Sequence, residues 1–410
     1  MYDFKLFNEM IMGVSKLAKE RKGKGYKVID TTLGMLYDEN NRLMEIDLLN
    51  TELKNQINCY SKVYDSFIGS VNFNKHVLNW FLSDIRLDSF IGCGYTMGAT
   101  GALSFFFSNY CKEKKVLVPS IRWGNYDSIL EYYDINRIEY LLFNDNDKFN
   151  VENLKEIINK QDDDICILIN DPCHNPTGYT MEHDEWDEIL NFLSQQSLLK
   201  KICVILDLAY LDYTNSNFYS VLKKISNVVN NNLDFYLCFS FSKSFGLYGY
   251  RGGVAVALVN TQEKIELFYK RLKTYSRITW SSPNHLLTNT FEILLSKKEK
   301  INQLRTTILS YKELLNFRRK VFIEASKKYE LELFPNTEGF FILIKTSDPI
   351  LLTKLLIKDN IFVIPFPQGI RVAISSVSVI EANNIPKLIK KRVDELEFSK
   401  ISDFKDYKNL

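Results

Sequence analysis

Histidine is scarce in this chain. Four residues in 410 are scattered along it, which argues against a zinc site. The seven cysteines, Cys59, Cys93, Cys111, Cys166, Cys173, Cys203 and Cys238, are odd in number, and no two are spaced Cys-x-x-Cys. Several sit in apolar runs, so they read as buried, reduced thiols of a cytoplasmic protein, and no metal ligand is assigned. Charge of one sign is also missing. Fifty-two basic against 50 acidic residues leave a net charge of +2, which gives no field for nucleic acid or an anionic membrane. No uninterrupted apolar run approaches the ~20 residues that span a bilayer. The opening Met1-Tyr2-Asp3-Phe4-Lys5 carries an early acid and no apolar core, so a secretory leader is not expected. Repeats, low-complexity tracts and Pro/Gly linkers are absent. What remains is ordinary globular composition, 46% apolar and 25% charged, in a chain long enough for two domains.

Apolar runs then alternate with helical stretches. Val116-Leu117-Val118-Pro119, Tyr140-Leu141-Leu142-Phe143, Ile165-Cys166-Ile167-Leu168-Ile169, Ile202-Cys203-Val204-Ile205-Leu206, Phe235-Tyr236-Leu237-Cys238-Phe239 and Gly253-Val254-Ala255-Val256-Ala257-Leu258 are short and continuously apolar. Such runs predict an α/β fold: a three-layer large domain whose mostly parallel sheet is covered by helices on both faces. Sheets of this kind place ligand groups at the carboxyl ends of their strands, so the polar residues just beyond each run are candidates. Trp123 follows the first run and suits stacking on a flat ring. Asn175 lies in the turn Asn170-Asp171-Pro172-Cys173-His174-Asn175-Pro176-Thr177-Gly178 and can donate to a phenolate oxygen. Asp207 follows Leu206, with Tyr210 beyond it. A carboxylate there can hold a pyridine nitrogen protonated, although it can equally cap a helix.

The stretch that ties these together is Ser240-Phe241-Ser242-Lys243-Ser244-Phe245-Gly246-Leu247-Tyr248-Gly249-Tyr250-Arg251. A lysine held out of bulk water loses its proton and condenses with an aldehyde. Serine hydroxyls and a guanidinium suit a phosphate. The residues therefore describe an anchor for pyridoxal 5′-phosphate, with Lys243 for the aldehyde and Ser240, Ser242 and Arg251 for the phosphate. Upstream, Gly92-Cys93-Gly94-Tyr95-Thr96-Met97-Gly98-Ala99-Thr100-Gly101 reads as a flexible entry to an apolar helix over 102–110. Helix entries bind anions, so Ala99, Thr100 and Gly101 join the phosphate set. Gly34 is placed to let substrate lie on the backbone; the plain alternative is a turn glycine. Tyr64 is locally unremarkable.

Beyond 260 helical periodicity takes over, at 263–275 and again from about 285 to 330. Two strands, Phe340-Phe341-Ile342-Leu343-Ile344 and Ile361-Phe362-Val363-Ile364, then lead to Arg371-Val372-Ala373-Ile374-Ser375 and a last helix over about 380–398. The expected division is an N-terminal arm with part of the small domain (1–45), a large cofactor-binding domain (46–305) and a smaller α+β domain (306–410). Arg371 stands in an apolar strand and needs an anionic partner there.

Together the motifs Ser-x-Ser-Lys-x-Phe-Gly-Leu-Tyr-x-x-Arg, His-Asn-Pro-Thr-Gly, Asp-x-Ala-Tyr and Arg-Ile-Thr-Trp-Ser-x-Pro resemble those of the fold type I pyridoxal-phosphate aminotransferases, in particular the aspartate aminotransferase group. The resemblance covers about residues 29–375. It implies a homodimer and a ping-pong exchange of an amino group between aspartate or glutamate and a 2-oxo acid. By resemblance, Lys243 binds the cofactor and moves the substrate proton, Asp207 pairs the ring nitrogen, Asn175 and Tyr210 hold the ring oxygen, and Trp123 stacks on the ring. Ala99, Thr100, Ser240, Ser242 and Arg251 hold the phosphate, and Tyr64 reaches it from the partner subunit. Arg371 grips the substrate α-carboxylate beside Gly34, and Arg277 reaches the distal carboxylate across the dimer. Two bidentate arginines at opposite ends of a dicarboxylate would act as a ruler.

Departures touch the substrate range. Asn170 and Tyr126 stand where the family often has other side chains behind the ring, Ala99 and Gly98 alter the phosphate loop, and the strand of Arg371 has one extra residue between its glycine and the arginine. An aromatic aminotransferase using 2-oxoglutarate remains the second reading, since such enzymes keep both arginines. A β-lyase or decarboxylase on the same scaffold is a further one, because fold and cofactor alone do not fix the reaction. A cofactor-binding transcription regulator is disfavoured by the neutral charge and by the roughly 30 residues that precede the first motif.

Overall fold

The structure, a computed structural model, describes residues 4–57, 66–82 and 87–406, with side chains described over 13–57, 66–82 and 87–396. The strands are β1 (Ile29–Asp30), β2 (Phe90–Thr96), β3 (Lys115–Pro119), β4 (Arg137–Tyr140), β5 (Ile165–Asn170), β6 (Ile202–Asp207), β7 (Leu233–Ser240), β8 (Gly253–Val259), β9 (Phe341–Lys345), β10 (Ile361–Phe362), β11 (Ile364–Phe366) and β12 (Gly369–Ala373). Seven of them form one sheet in the order β2-β8-β7-β6-β5-β3-β4. Only β8 runs against its neighbours there; the other pairings are parallel. This is the mixed, mostly parallel α/β sheet that the apolar runs predict. Every residue of β5 and β6 is buried, as expected for strands sandwiched between helical layers.

The parallel register aligns the strand ends. Asn170 at the end of β5 lies opposite Asp207 at the end of β6, and Ser240 at the end of β7 lies opposite Gly253. Three polar residues thus arrive at one edge of the sheet because their strands stop together.

Two stretches differ from the sequence reading. The run Tyr140-Leu141-Leu142-Phe143 is a strand only at its first residue; β4 lies upstream, over Arg137–Tyr140, and Leu141 is exposed. β4 is an edge strand, and an edge does not require continuous apolarity. Phe90–Thr96 is a full strand, not a flexible entry. Its glycines are there for close packing: a Cβ at Gly92 would come within 2.7 Å of the Phe268 ring in the helix Gln262–Thr279.

A helix over Gly98–Phe106 follows β2 and continues as a π turn over Phe107–Cys111. Downstream, β11, β12 and β9 form an antiparallel sheet in that order, and the two-residue β1 pairs in parallel with β10. The helices Lys298–Lys328 and Val379–Asp406 pack on each other beside it. No described helix is long and apolar enough to cross a membrane.

Candidate active site

β7 ends at Ser240, whose side chain accepts from the Ser242 amide at 3.3 Å and starts a single helical turn, Phe241–Ser244. That turn aims Lys243 back over the strand ends. The Lys243 Nζ donates to the Gly34 carbonyl at 2.6 Å and lies 5.1, 5.6 and 5.9 Å from the ring centres of Tyr248, Tyr210 and Phe340. Enclosure in this aromatic box pushes its pKa down to about 7; Arg371 and Arg251 act in the same sense, and Asp207 opposes them. The lysine is therefore partly neutral at physiological pH.

Asp207 is buried at the end of β6. Its Oδ2 accepts from the Tyr126 hydroxyl at 2.6 Å and its Oδ1 from the Ala209 amide at 3.0 Å. Burial raises its pKa, while these two bonds and Lys243 favour the carboxylate. Asn170, its neighbour on β5, donates to the Asp207 carbonyl at 2.9 Å and accepts from the Asn175 amide at 2.8 Å. Asn170 thereby fixes the loop that presents Asn175, which explains a polar residue at that strand end.

Arg371 enters from β12. Its NH1 donates to Asn175 Oδ1 at 3.1 Å and its NH2 to the Thr32 carbonyl at 2.7 Å, with the guanidinium 4.3 Å from the Phe341 ring centre. The Nε is buried without a hydrogen-bond partner. Burial lowers its pKa to about 10, which still leaves a cation at neutral pH. Among the described residues no carboxylate pairs with it. A buried guanidinium served only by neutral acceptors is a receptor for an anion.

These groups wall one cavity of about 650 Å³. Ala99 and Thr100, at the start of the helix Gly98–Phe106, line one end of it together with Ser240, Ser242 and Arg251. Arg251, at φ +57°, donates from NH1 to Ser242 Oγ at 3.3 Å and to the Tyr248 carbonyl at 3.0 Å. Two hydroxyls, a guanidinium and a helix amino end form a cradle for a dianion. Trp123 lines another wall, edge-on to Tyr126, with ring centres 5.3 Å apart. Gly34 lines the cavity too, and a Cβ there would run into the Phe341 ring.

Two of the described site residues predicted from sequence are not on this wall. Gly101 faces Met97, Thr96 and Trp280, because one helical step past Thr100 turns its side away from the cavity. Arg277 is exposed near the end of the helix Gln262–Thr279, donating to Ser281 Oγ at 3.3 Å and lying 5.3 Å from the Phe67 ring centre. Tyr64 lies outside the described residues. Conversely, Tyr248, Thr32, Phe341 and Phe366 line the cavity without having been singled out. Tyr248 sits within the Lys243 motif, and its hydroxyl accepts from the Leu36 amide at 2.9 Å.

The model of the family "Aminotransferase class I and II" matches residues 35–385. A mitochondrial aspartate aminotransferase of Schizosaccharomyces pombe is 25% identical over 206 residues, 47% of this chain and 46% of the relative. The chain thus spans about half the length of the curated relatives it matches first. An aminotransferase crystal structure from Anaerococcus prevotii superposes with a TM-score of 0.89 at 29% identity, covering 93% of this chain and 96% of that one. The aromatic-amino-acid aminotransferase from Burkholderia pseudomallei, covalently bound to pyridoxal phosphate, shares the fold at a TM-score of 0.80 and 17% identity, with 93% and 96% covered. A match over residues 35–385, which include every strand that meets at the cavity, leaves one conclusion: the chain belongs to the class I and II aminotransferases.

Proposed function

We propose that this chain is a pyridoxal 5′-phosphate-dependent aminotransferase that exchanges an amino group between aspartate or glutamate and a 2-oxo acid. The observation that carries the reading is a single cavity in which a lysine of lowered pKa, a buried carboxylate and an anion-seeking arginine share the walls. The residues fit the cofactor on this structure's own chemistry. The cradle of Ser240, Ser242, Arg251, Ala99 and Thr100 suits the phosphate, and the partly neutral Lys243 suits an aldehyde. The buried Asp207 suits a protonated ring nitrogen. When bound, the cofactor supplies an electrophilic aldehyde and a ring that takes up negative charge.

The side chains divide the remaining work. Lys243 Nζ, partly neutral at physiological pH, would hold the cofactor's aldehyde and would serve as the base for the substrate Cα proton. Asp207, whose carboxylate form Tyr126 and the Ala209 amide favour against burial, would hold a proton on the ring nitrogen. Asn175 and Tyr210 would serve the ring oxygen, and Trp123 would stack on the ring. Arg371 grips the α-carboxylate with Asn175 and the Thr32 carbonyl setting its plane. Two half-reactions of this kind give ping-pong kinetics.

The distal carboxylate is assigned to Arg277 of a partner subunit, with Tyr64 reaching the partner's phosphate. Support comes from the exposure of Arg277 and from the exposed apolar side chains beside it, Ile278 at 74% and Phe67 at 42%. The division at residues 45 and 305 is retained, with the cavity receiving Lys243 and Asp207 from one part and Arg371, Phe341 and Thr32 from the others. A cytoplasmic location is supported by six described cysteines, all unpaired and buried. A second reading, an aromatic donor, is favoured by one observation: four aromatic side chains, Trp123, Tyr210, Phe341 and Phe366, line the cavity.

A panel of aspartate, tyrosine, phenylalanine and cysteine sulfinate with 2-oxoglutarate separates these readings. Aspartate should give the highest kcat/KM; preference for tyrosine or phenylalanine would favour the aromatic reading. Release of pyruvate or ammonia without an oxo-acid acceptor would replace both with a lyase.

A further inference from the structure

At the amino ends of β5 and β6, the opposite end of the sheet from the cavity, three cysteines converge. Cys166 is the second residue of β5 and Cys203 the second of β6, and the parallel register sets them directly opposite each other. Cys111, the last residue of the π turn Phe107–Cys111, comes down on the same face. All three sulfurs lie within 4.8 Å of one another, and the three residues are 0%, 0% and 4% exposed for Cys111, Cys166 and Cys203.

We propose that this cluster is a binding site for one soft monovalent metal ion, Cu(I), held by three sulfur ligands. The geometry suits it. An ion equidistant from three sulfurs at about 2.3 Å sets them about 4.0 Å apart, so small side-chain rotations close the site. The donor set is sulfur alone: among the described residues no histidine, carboxylate or further cysteine joins the group. Zinc in a closed site takes four ligands, whereas thiolates without nitrogen or oxygen partners select a soft ion. The charge balance points the same way. A monovalent ion with two thiolates and one thiol carries a net charge of −1, and the half-buried Lys114 lies within electrostatic reach of all three sulfurs. Asp164 and Asp234 also face the group, but Asp234 already has its own cation, Lys264, at 2.7 Å. Access is short, because Cys111 leads directly into the exposed Lys112 and Glu113.

The site stands apart from the aminotransferase cavity. Cys166 and Cys203 each lie four residues before Asn170 and Asp207, about 13 Å along the strands. They share the sheet face of those residues, since side chains alternate with a period of two.

The test uses the full-length, reduced protein under anaerobic conditions, titrated with Cu(I) against a chromogenic Cu(I) chelator, followed by X-ray absorption at the copper edge. The expected result is one Cu(I) per chain, a shell of three sulfurs at about 2.3 Å, and an affinity at least 100-fold weaker in each of Cys111→Ser, Cys166→Ser and Cys203→Ser. Cys93→Ser, a buried cysteine outside the cluster, should bind like the parent. Equal affinity in the three cluster variants overturns the proposal. So does a shell with two sulfurs or with nitrogen or oxygen, or tighter binding of Zn(II). Stoichiometry and shell are read on the unsubstituted protein, so the outcome stands even if a serine variant fails to fold.

Discussion

Tyr126 donates its phenolic hydrogen to Asp207 Oδ2 at 2.6 Å, behind the point where the strand ends converge. A phenol in that place does two things. It satisfies a buried carboxylate, and it stabilises the ionised form against burial.

Tyr126→Phe should therefore let the Asp207 pKa rise further and weaken the acid-base pair with a ring nitrogen. Loss of one hydrogen bond to a charged group is worth about 1.5–3 kcal/mol, so kcat/KM should fall by about 10- to 160-fold, with looser cofactor binding. Asp207→Asn should do more, because it removes the charge itself. Fluorescence titration of the cofactor into both variants checks the order; no loss in Tyr126→Phe would show that the phenol acts only by packing.

Lys243 gives a pH signature with a definite sign. Its folded pKa of about 7 lies below the ordinary 10.5, so only above about pH 7 is the amine largely neutral. Cofactor capture by the unloaded protein should accelerate about tenfold per pH unit up to about 7 and then level off. Between about 7 and 10.5 the unfolded chain binds one more proton at this residue than the folded one, so its contribution makes stability increase with pH across that window. In Lys243→Met that contribution should vanish, and thermal melting of the two proteins from pH 7 to 10 measures the difference.

Arg371 should act on every donor alike. Arg371→Leu removes the cation and leaves the Asn175 Oδ1 and the Thr32 carbonyl without their donor. Truncating one member of a buried charged pair costs about 2–5 kcal/mol, so kcat/KM should drop at least about 30-fold for aspartate and phenylalanine both. Steady-state kinetics with the two donors decide this.

Arg277 should behave differently. Arg277→Leu is expected to depress aspartate far more than phenylalanine. If the residue serves the partner's site, neither Lys243→Ala nor Arg277→Leu alone should use aspartate well. Mixed dimers of the two variants should recover up to about half of the parent rate at one site. Absence of recovery in hybrids verified by mass would place Arg277 outside the site.

The residues themselves show which features a linear reading reaches. β5 and β6 are legible because burial on both faces makes them continuously apolar, and a lone polar residue at the end of such a run, Asp207 or Asn170, is conspicuous. β2 hides behind Gly92 and Gly94, whose absence of side chains answers to a helix nearly 180 residues later. β4 hides because an edge strand tolerates Arg137 and Glu139, while the exposed Leu141 imitates a core position. Thr32 and Phe341 reach the cavity from distant segments, so nothing in their neighbourhoods marks them. Gly101 sits beside two cavity residues in sequence yet turns away, because a helix rotates about 100° per residue. The three clustered cysteines come from positions 111, 166 and 203, and only the parallel register brings them together.

The central claim is that the amine of Lys243 is the group that binds the cofactor. Loading the protein with pyridoxal 5′-phosphate, reducing it with borohydride and mapping the peptides by mass spectrometry tests this at single-residue level. The account predicts one stoichiometric pyridoxyl adduct, on Lys243, blocked by Lys243→Ala. A stoichiometric adduct on another lysine, or none on a protein that still transaminates, would contradict it.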